Sequence, residues 1–174
     1  SMPFVAAADS FEGALERSMA STLRNLQIPN YLRAVTALYF SPTLKPDIRA
    51  VLVEIGERPW MPWLSTLKSR RQLEPGLVAK AIASDLADIH YVKVHQWGLG
   101  TIVNADLVGD TALTALTYVA GATRGETRDK VRGSLMALKR NDQSWSSFIA
   151  AIRDRLDVHV ERPSSHPDKK AQAQ

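Results

Sequence analysis

With 174 residues, 45% of them hydrophobic and 23% charged, the chain is long enough for one packed core and too apolar to be disordered throughout. The absence of cysteine excludes disulfide scaffolds, thiolate zinc sites and thiol nucleophiles, and the compartment expected is the cytoplasm. The formal net charge of +4 is a small excess, densest at Lys68, Arg70 and Arg71, and reads as a solvated helix end rather than a nucleic-acid surface.

No run of about 18 apolar residues is present, and the first residues lack the basic-then-apolar order of a signal peptide, so no membrane association is expected. Helical periodicity dominates, without the alternation and Asn-Gly or Asp-Gly turns of hairpins. The fold class expected is all-α, a multi-helix bundle. One helical domain over 1–160 is expected, followed by a disordered tail over 161–174 whose composition has almost nothing to bury.

In chain order, Asp9 or Ser10 caps a first helix with Phe11, Leu15, Met19, Thr22, Leu23 and Leu26 on one face, closed by Pro29. A second helix runs from about Tyr31 to Phe40 with Leu32, Val35, Leu38 and Tyr39. The segment 41–46 breaks it. The third, from Ile48 to Gly56, presents Val51, Leu52 and Ile55, and Gly56 is placed as its stop. Pro62 sits in the first turn of a helix reaching about Arg71.

The longest helix spans about Leu77 to Trp97, with Ala79, Ala83, Leu86, His90, Val94 and Trp97 as a stripe that Val78, Ile82, Ile89 and Val92 widen. An arc that broad needs cover on more than one side. A helix of about Ala105 to Thr123 carries no charge from Thr111 onward and is too polar and short to span a membrane, so protein buries it. Helices over about 128–140 and around Trp145, Phe148, Ile149, Ile152 and Leu156 complete the chain.

The best catalytic candidate is the run Ser84, Asp85, Asp88, His90, Tyr91 and His95, of which Ser84, Asp88, Tyr91 and His95 share one helical stripe and His90 lies about 140° from His95. The two histidines therefore cannot share a metal from this helix alone, and the His-x-x-x-His spacing of zinc proteases is absent. Asp88 and His95, roughly 10 Å apart along the axis, are too distant for an acid-base dyad without a third group. No glycine-rich phosphate loop, dinucleotide fingerprint or nucleophile elbow occurs. The chain is thus read as a non-enzyme without cofactor or metal.

Trp60 and Trp63 flank Met61 and Pro62, either as a core plug or as the wall of an apolar pocket. His90 in its apolar stripe reads as a hydrogen-bonded core histidine or, less simply, a pocket residue. Ala112, Leu113, Leu116 and Val119, with Ala115, Ala120 and Gly121, suit either a central helix of one subunit or half of a two-fold interface.

The order of segments resembles the C-terminal ligand-sensing and dimerisation domain of TetR-type bacterial regulators. The resemblance rests on DSFEGALERSM at 9–19, PTLKPDIRA at 42–50, QLEPGLVAKAIA at 72–83 and the two long helices that follow, and covers about 9–123. It implies a helical domain whose last two long helices make a four-helix bundle with a second copy. It also implies middle helices enclosing an apolar effector, with Tyr39, Trp60, Trp63, His90 and Tyr91 facing it. Such regulators begin with a helix-turn-helix of about fifty residues. Nothing like it precedes Phe11, so direct DNA binding is not expected, and the helices over 128–158 lie beyond the family domain's usual end. The function expected is effector binding, partner binding or both, as a homodimer. The alternative is a helical interaction module of adaptor, immunity or chaperone-like type.

Overall fold

A computed structural model describes residues 5–160, among which eight helices and no strand are formed. They are α1 (Phe11–Asn25), α2 (Pro29–Tyr39), α3 (Pro46–Glu57), α4 (Met61–Ser69), α5 (Ala79–Gly98), α6 (Leu107–Ala122), α7 (Gly125–Arg140) and α8 (Gln143–Val160). The tail expected at 161–174 lies outside the described residues. Among the described residues no helix is long and apolar enough to cross a membrane.

Local chemistry sets the boundaries. The Ser10 hydroxyl accepts the Gly13 N–H at 3.0 Å and starts α1, an N-cap contribution of about 1 kcal/mol. Pro29 and Pro46 each occupy the first turn of the helix that follows, where a missing N–H costs nothing. Pro29 therefore opens α2 as well as closing the segment before it. Asn141, at φ 46°, stops α7 in the left-handed conformation.

α5 is the axis of the molecule, with α2, α3, α4 and α6 packed around it. Its buried residues Ala79, Ile82, Ala83, Leu86, Ala87, Tyr91, Val94 and Trp97 wrap much of its circumference, as the broad apolar arc requires. The main core joins α1 (Phe11, Leu15, Met19, Leu23), α4 (Trp60 just before it, then Trp63, Leu64, Leu67), α5, α6 and α8 (Trp145, Ile152, Leu156). A second cluster of Leu32, Val94, Trp97, Ile102 and Leu107 seals the far end of α5. Trp97 Nε1–H donates to Asn104 there at 2.7 Å.

The two helices beyond the reach of the family resemblance are integral to this core. α7 packs on α6 and α8 on α1. Backbone bonds from Glu74 N to Ala122 O (2.9 Å) and from Arg124 N to Gln72 O (3.1 Å) tie the loop before α5 to the end of α6.

α3 departs from its expected orientation. Val51 and Ile55 are 55% and 46% exposed, and Ile48 is exposed beside them. Gly56 is not a stop but lies inside the helix, at the point where α3 approaches α5. A Cβ there would fall 2.6 Å from the Ala87 Cβ. Two residues with minimal side chains let the backbones meet at that point, and this close approach turns the apolar stripe of α3 outward.

Candidate functional site

The side chains along the middle of α5 converge with α1, α2 and α3. Tyr91, 5% exposed, stands between α2 and α3. Its ring stacks on Tyr39 of α2 with centroids 4.3 Å apart and planes 24° from parallel. Its hydroxyl donates to the Leu52 carbonyl of α3 at 2.7 Å. Burial, with Tyr31 nearby, pushes the Tyr91 phenol up to about 12, so it remains a neutral donor at any ordinary pH.

Tyr39 donates to the Asp88 carboxylate and carries the Arg49 guanidinium over its ring, 5.4 Å from the centroid. Burial and then Asp88 raise its phenol far above the usual value. Asp88 is thus spent on holding Tyr39, and His95 rests against Phe40 with ring centroids 5.0 Å apart. Each has a structural partner at the end of α2. Tyr91, placed by sequence on the same polar stripe, is instead buried.

His90 lies one residue round the helix from this stack, half-buried. Its Nε2 and the Asn25 Nδ2 of α1 are 3.0 Å apart. With the amide assigned so that Nδ2–H donates, Nε2 is the acceptor and the ring proton sits on Nδ1. Burial lowers the His90 pKa to about 4, so the ring is uncharged at neutral pH.

That depression has a measurable consequence. A histidine whose folded pKa lies below its unfolded value of about 6.5 binds its proton in the unfolded chain first. Its contribution to stability is full above pH 6.5 and is lost as pH falls from there to about 4. Urea midpoints for the full chain should fall across that window by an amount equivalent to about 3 kcal/mol, and His90→Gln should remove that part of the slope. An equal slope in the variant would remove His90 as its source.

A cavity of about 40 Å³ lies beside His90, bounded by Ser18 and Ser21 of α1, Ile55 and Gly56 of α3, Pro59, Trp60 and Tyr91. Trp60, His90 and Tyr91 therefore share one space, and Tyr39 backs it through the stacked ring. Trp63 does not belong to it. Its ring lies 5.2 Å from that of Phe11 and, with Phe11, borders a separate open cleft of about 230 Å³ between the starts of α1 and α7 and the helix α4. Asp9, Glu12, Arg70, Glu126 and Lys130 surround that cleft, and the Glu12–Lys130 ion pair links α1 to α7 at 2.5 Å. The larger cleft is therefore rimmed by charge. The smaller cavity is the apolar one with convergent hydrogen-bonding groups, the combination expected of a ligand site.

The expected pairing face requires correction. Ala112, Leu116 and Val119 are each 0% exposed within the single chain, because α6 is packed by α1, α5 and α7. They are core residues and cannot meet a second copy without unfolding. Leu113 alone of the four reaches the surface, at 36% exposure.

The partners of His90 and Tyr91 were not legible in the sequence. Asn25 is 65 positions from His90, and the Leu52 acceptor is a backbone carbonyl with no side-chain signature. Among the described residues no group of three or more His, Cys, Asp or Glu is placed to hold a metal ion. No family model, curated protein or solved structure matches this chain.

Proposed function

We propose that this chain is an effector-sensing and pairing domain, similar in plan to the C-terminal domain of TetR-type regulators, which binds a small apolar molecule and associates with a second copy of itself. The observation that carries the reading is the meeting of Trp60, His90 and Tyr91 at one uncharged cavity between α1, α3 and α5. Reading DNA is not part of this proposal, and no bond-making chemistry is assigned to the site.

The pairing surface lies on the exposed side of α6. From Thr111 to Thr123 that helix has no charged residue. Gly109, Leu113, Thr117 and Gly121 recur every four residues and so share one face. A Cβ at Gly109 or Gly121 would meet nothing within 4 Å. The Thr117 hydroxyl donates to Leu113 O at 2.7 Å and that of Thr114 to Asp110 O at 3.0 Å. Their donors are satisfied within the helix, which leaves a surface of methyl groups and bare backbone suited to close helix contact.

Light scattering at high protein concentration should give a dimer, and Leu113→Glu combined with Thr117→Arg should give a monomer with unchanged circular dichroism. A monodisperse wild-type monomer would remove the pairing claim. For ligand binding, uncharged apolar compounds that raise the melting temperature should lose that effect on Trp60→Ala compared with Trp63→Ala, each measured against its own baseline.

A second reading, an interaction module holding a partner helix, is favoured by one observation. Tyr31 and Leu38 of α2 and Ile48, Val51 and Ile55 of α3 are all at least 42% exposed, an apolar surface of the kind that takes an amphipathic helix. A single stoichiometric protein partner, with no thermal shift from any small molecule, would favour it over effector sensing.

A further inference from the structure

The effector reading leaves the ligand's chemistry open, and the site's own groups narrow it. At about 40 Å³ the cavity has room for about three waters at most and cannot enclose a drug-sized molecule. It fits a small head, and the rest of a ligand must lie outside.

The head's character follows from the lining. No side chain facing the cavity is charged at neutral pH, since His90 is held neutral and the remaining polar groups are the hydroxyls of Ser18, Ser21 and Tyr91 and the indole N–H of Trp60. A charged head would lose its hydration with no counter-ion to replace it. Ser18 is 5% exposed and lines the cavity, where its hydroxyl can donate to or accept from an incoming polar atom.

The tail's path follows from the exposed faces. Ile55 belongs both to the cavity and to the outer apolar stripe of α3. From Ile55 to Ile48 that stripe runs about 10 Å along the helix, without a charged residue on it. Tyr31 and Leu38 share one face of α2, on the other side of Tyr91. α2 and α3 pack chiefly on α5 rather than on each other, and the Arg49 guanidinium over the Tyr39 ring links them.

We propose, resting on the effector reading, that the ligand is an uncharged single-chain amphiphile, with a hydroxyl or primary amide head beside Ser18 and His90 and its alkyl chain along Ile55, Val51 and Ile48.

The test uses the full chain and three probes of one length, decanamide, decanoate and decylammonium, each below the concentration at which it forms micelles. Binding is followed by calorimetry and by the indole N–H resonance of Trp60. Decanamide should bind and move that resonance, and the two ions should bind at least about tenfold more weakly, the equivalent of 1.4 kcal/mol. Ser18→Ala should weaken decanamide about fivefold without lowering the melting temperature. Equal binding of an ion, or undiminished binding to Ser18→Ala, overturns the proposal. If another uncharged compound moves Trp60 while decanamide does not, the amphiphile class falls and effector sensing stands. If no compound moves Trp60, both fall.

Discussion

Replacing Leu116 with alanine is expected to lower the unfolding free energy by about 3–4 kcal/mol and leave the association state of the folded protein unchanged. Leu116 is 0% exposed in the main core, in company with Leu15, Leu86 and Val119, so truncation leaves a cavity in a region held from several sides. For a chain of this length the melting temperature should fall by roughly 10 °C. A charge at the same position, Leu116→Glu, would bury a carboxylate without a partner and should prevent folding. Scanning calorimetry with light scattering on the alanine variant separates the two roles. An unchanged melting temperature with a dimer converted to monomer would return Leu116 to an interface.

The second large effect is expected at Glu16. This carboxylate is 3% exposed in α1, pairs with Arg155 of α8 and accepts the Ala6 N–H at 3.1 Å. Glu16→Ala strands Arg155 and that N–H, and should cost about 3 kcal/mol. Because Glu16 is buried, the loss should persist at high salt, unlike that of an exposed pair. Hydrogen exchange should quicken first in α8, and Glu16→Gln, which keeps an acceptor, should recover part of the protection. Exchange in α8 identical to wild type would show that the packing of Trp145, Ile152 and Leu156 alone holds the helix.

These two residues mark the boundary of what a single sequence conveys. The α1 stripe of Phe11, Leu15, Met19 and Leu23 and the α8 repeat of Trp145, Ile152 and Leu156 are both legible, and both are buried as their periodicity requires. In those helices one face is plainly more apolar than the other. α6 gives no such instruction. It is uncharged around most of its circumference, so the pattern cannot say whether Leu116 or Thr117 faces the core, and only the packing by α1, α5 and α7 decides.

α3 illustrates a different obstacle. Ile48, Val51 and Ile55 form a regular apolar stripe, yet the approach of Gly56 to Ala87 turns that stripe outward. A contact between two residues with almost no side chain leaves no hydrophobic signal. The candidate site shows both cases. Trp60, His90 and Tyr91 are conspicuous by residue type, whereas the separation of Trp63 into a charged cleft depends on α7, which packs against neighbours distant in sequence.

The central claim is that the uncharged cavity beside Trp60 and His90, rather than the larger charged cleft beside Trp63, receives the effector. Four tryptophans give four indole N–H resonances, assignable by single Trp→Phe replacements, and a titration with an uncharged apolar compound that raises the melting temperature tests the claim directly. The resonance of Trp60 should move in proportion to occupancy while those of Trp63 and Trp145 hold still. Movement of Trp63 with Trp60 unchanged would place the ligand in the charged cleft and contradict the account.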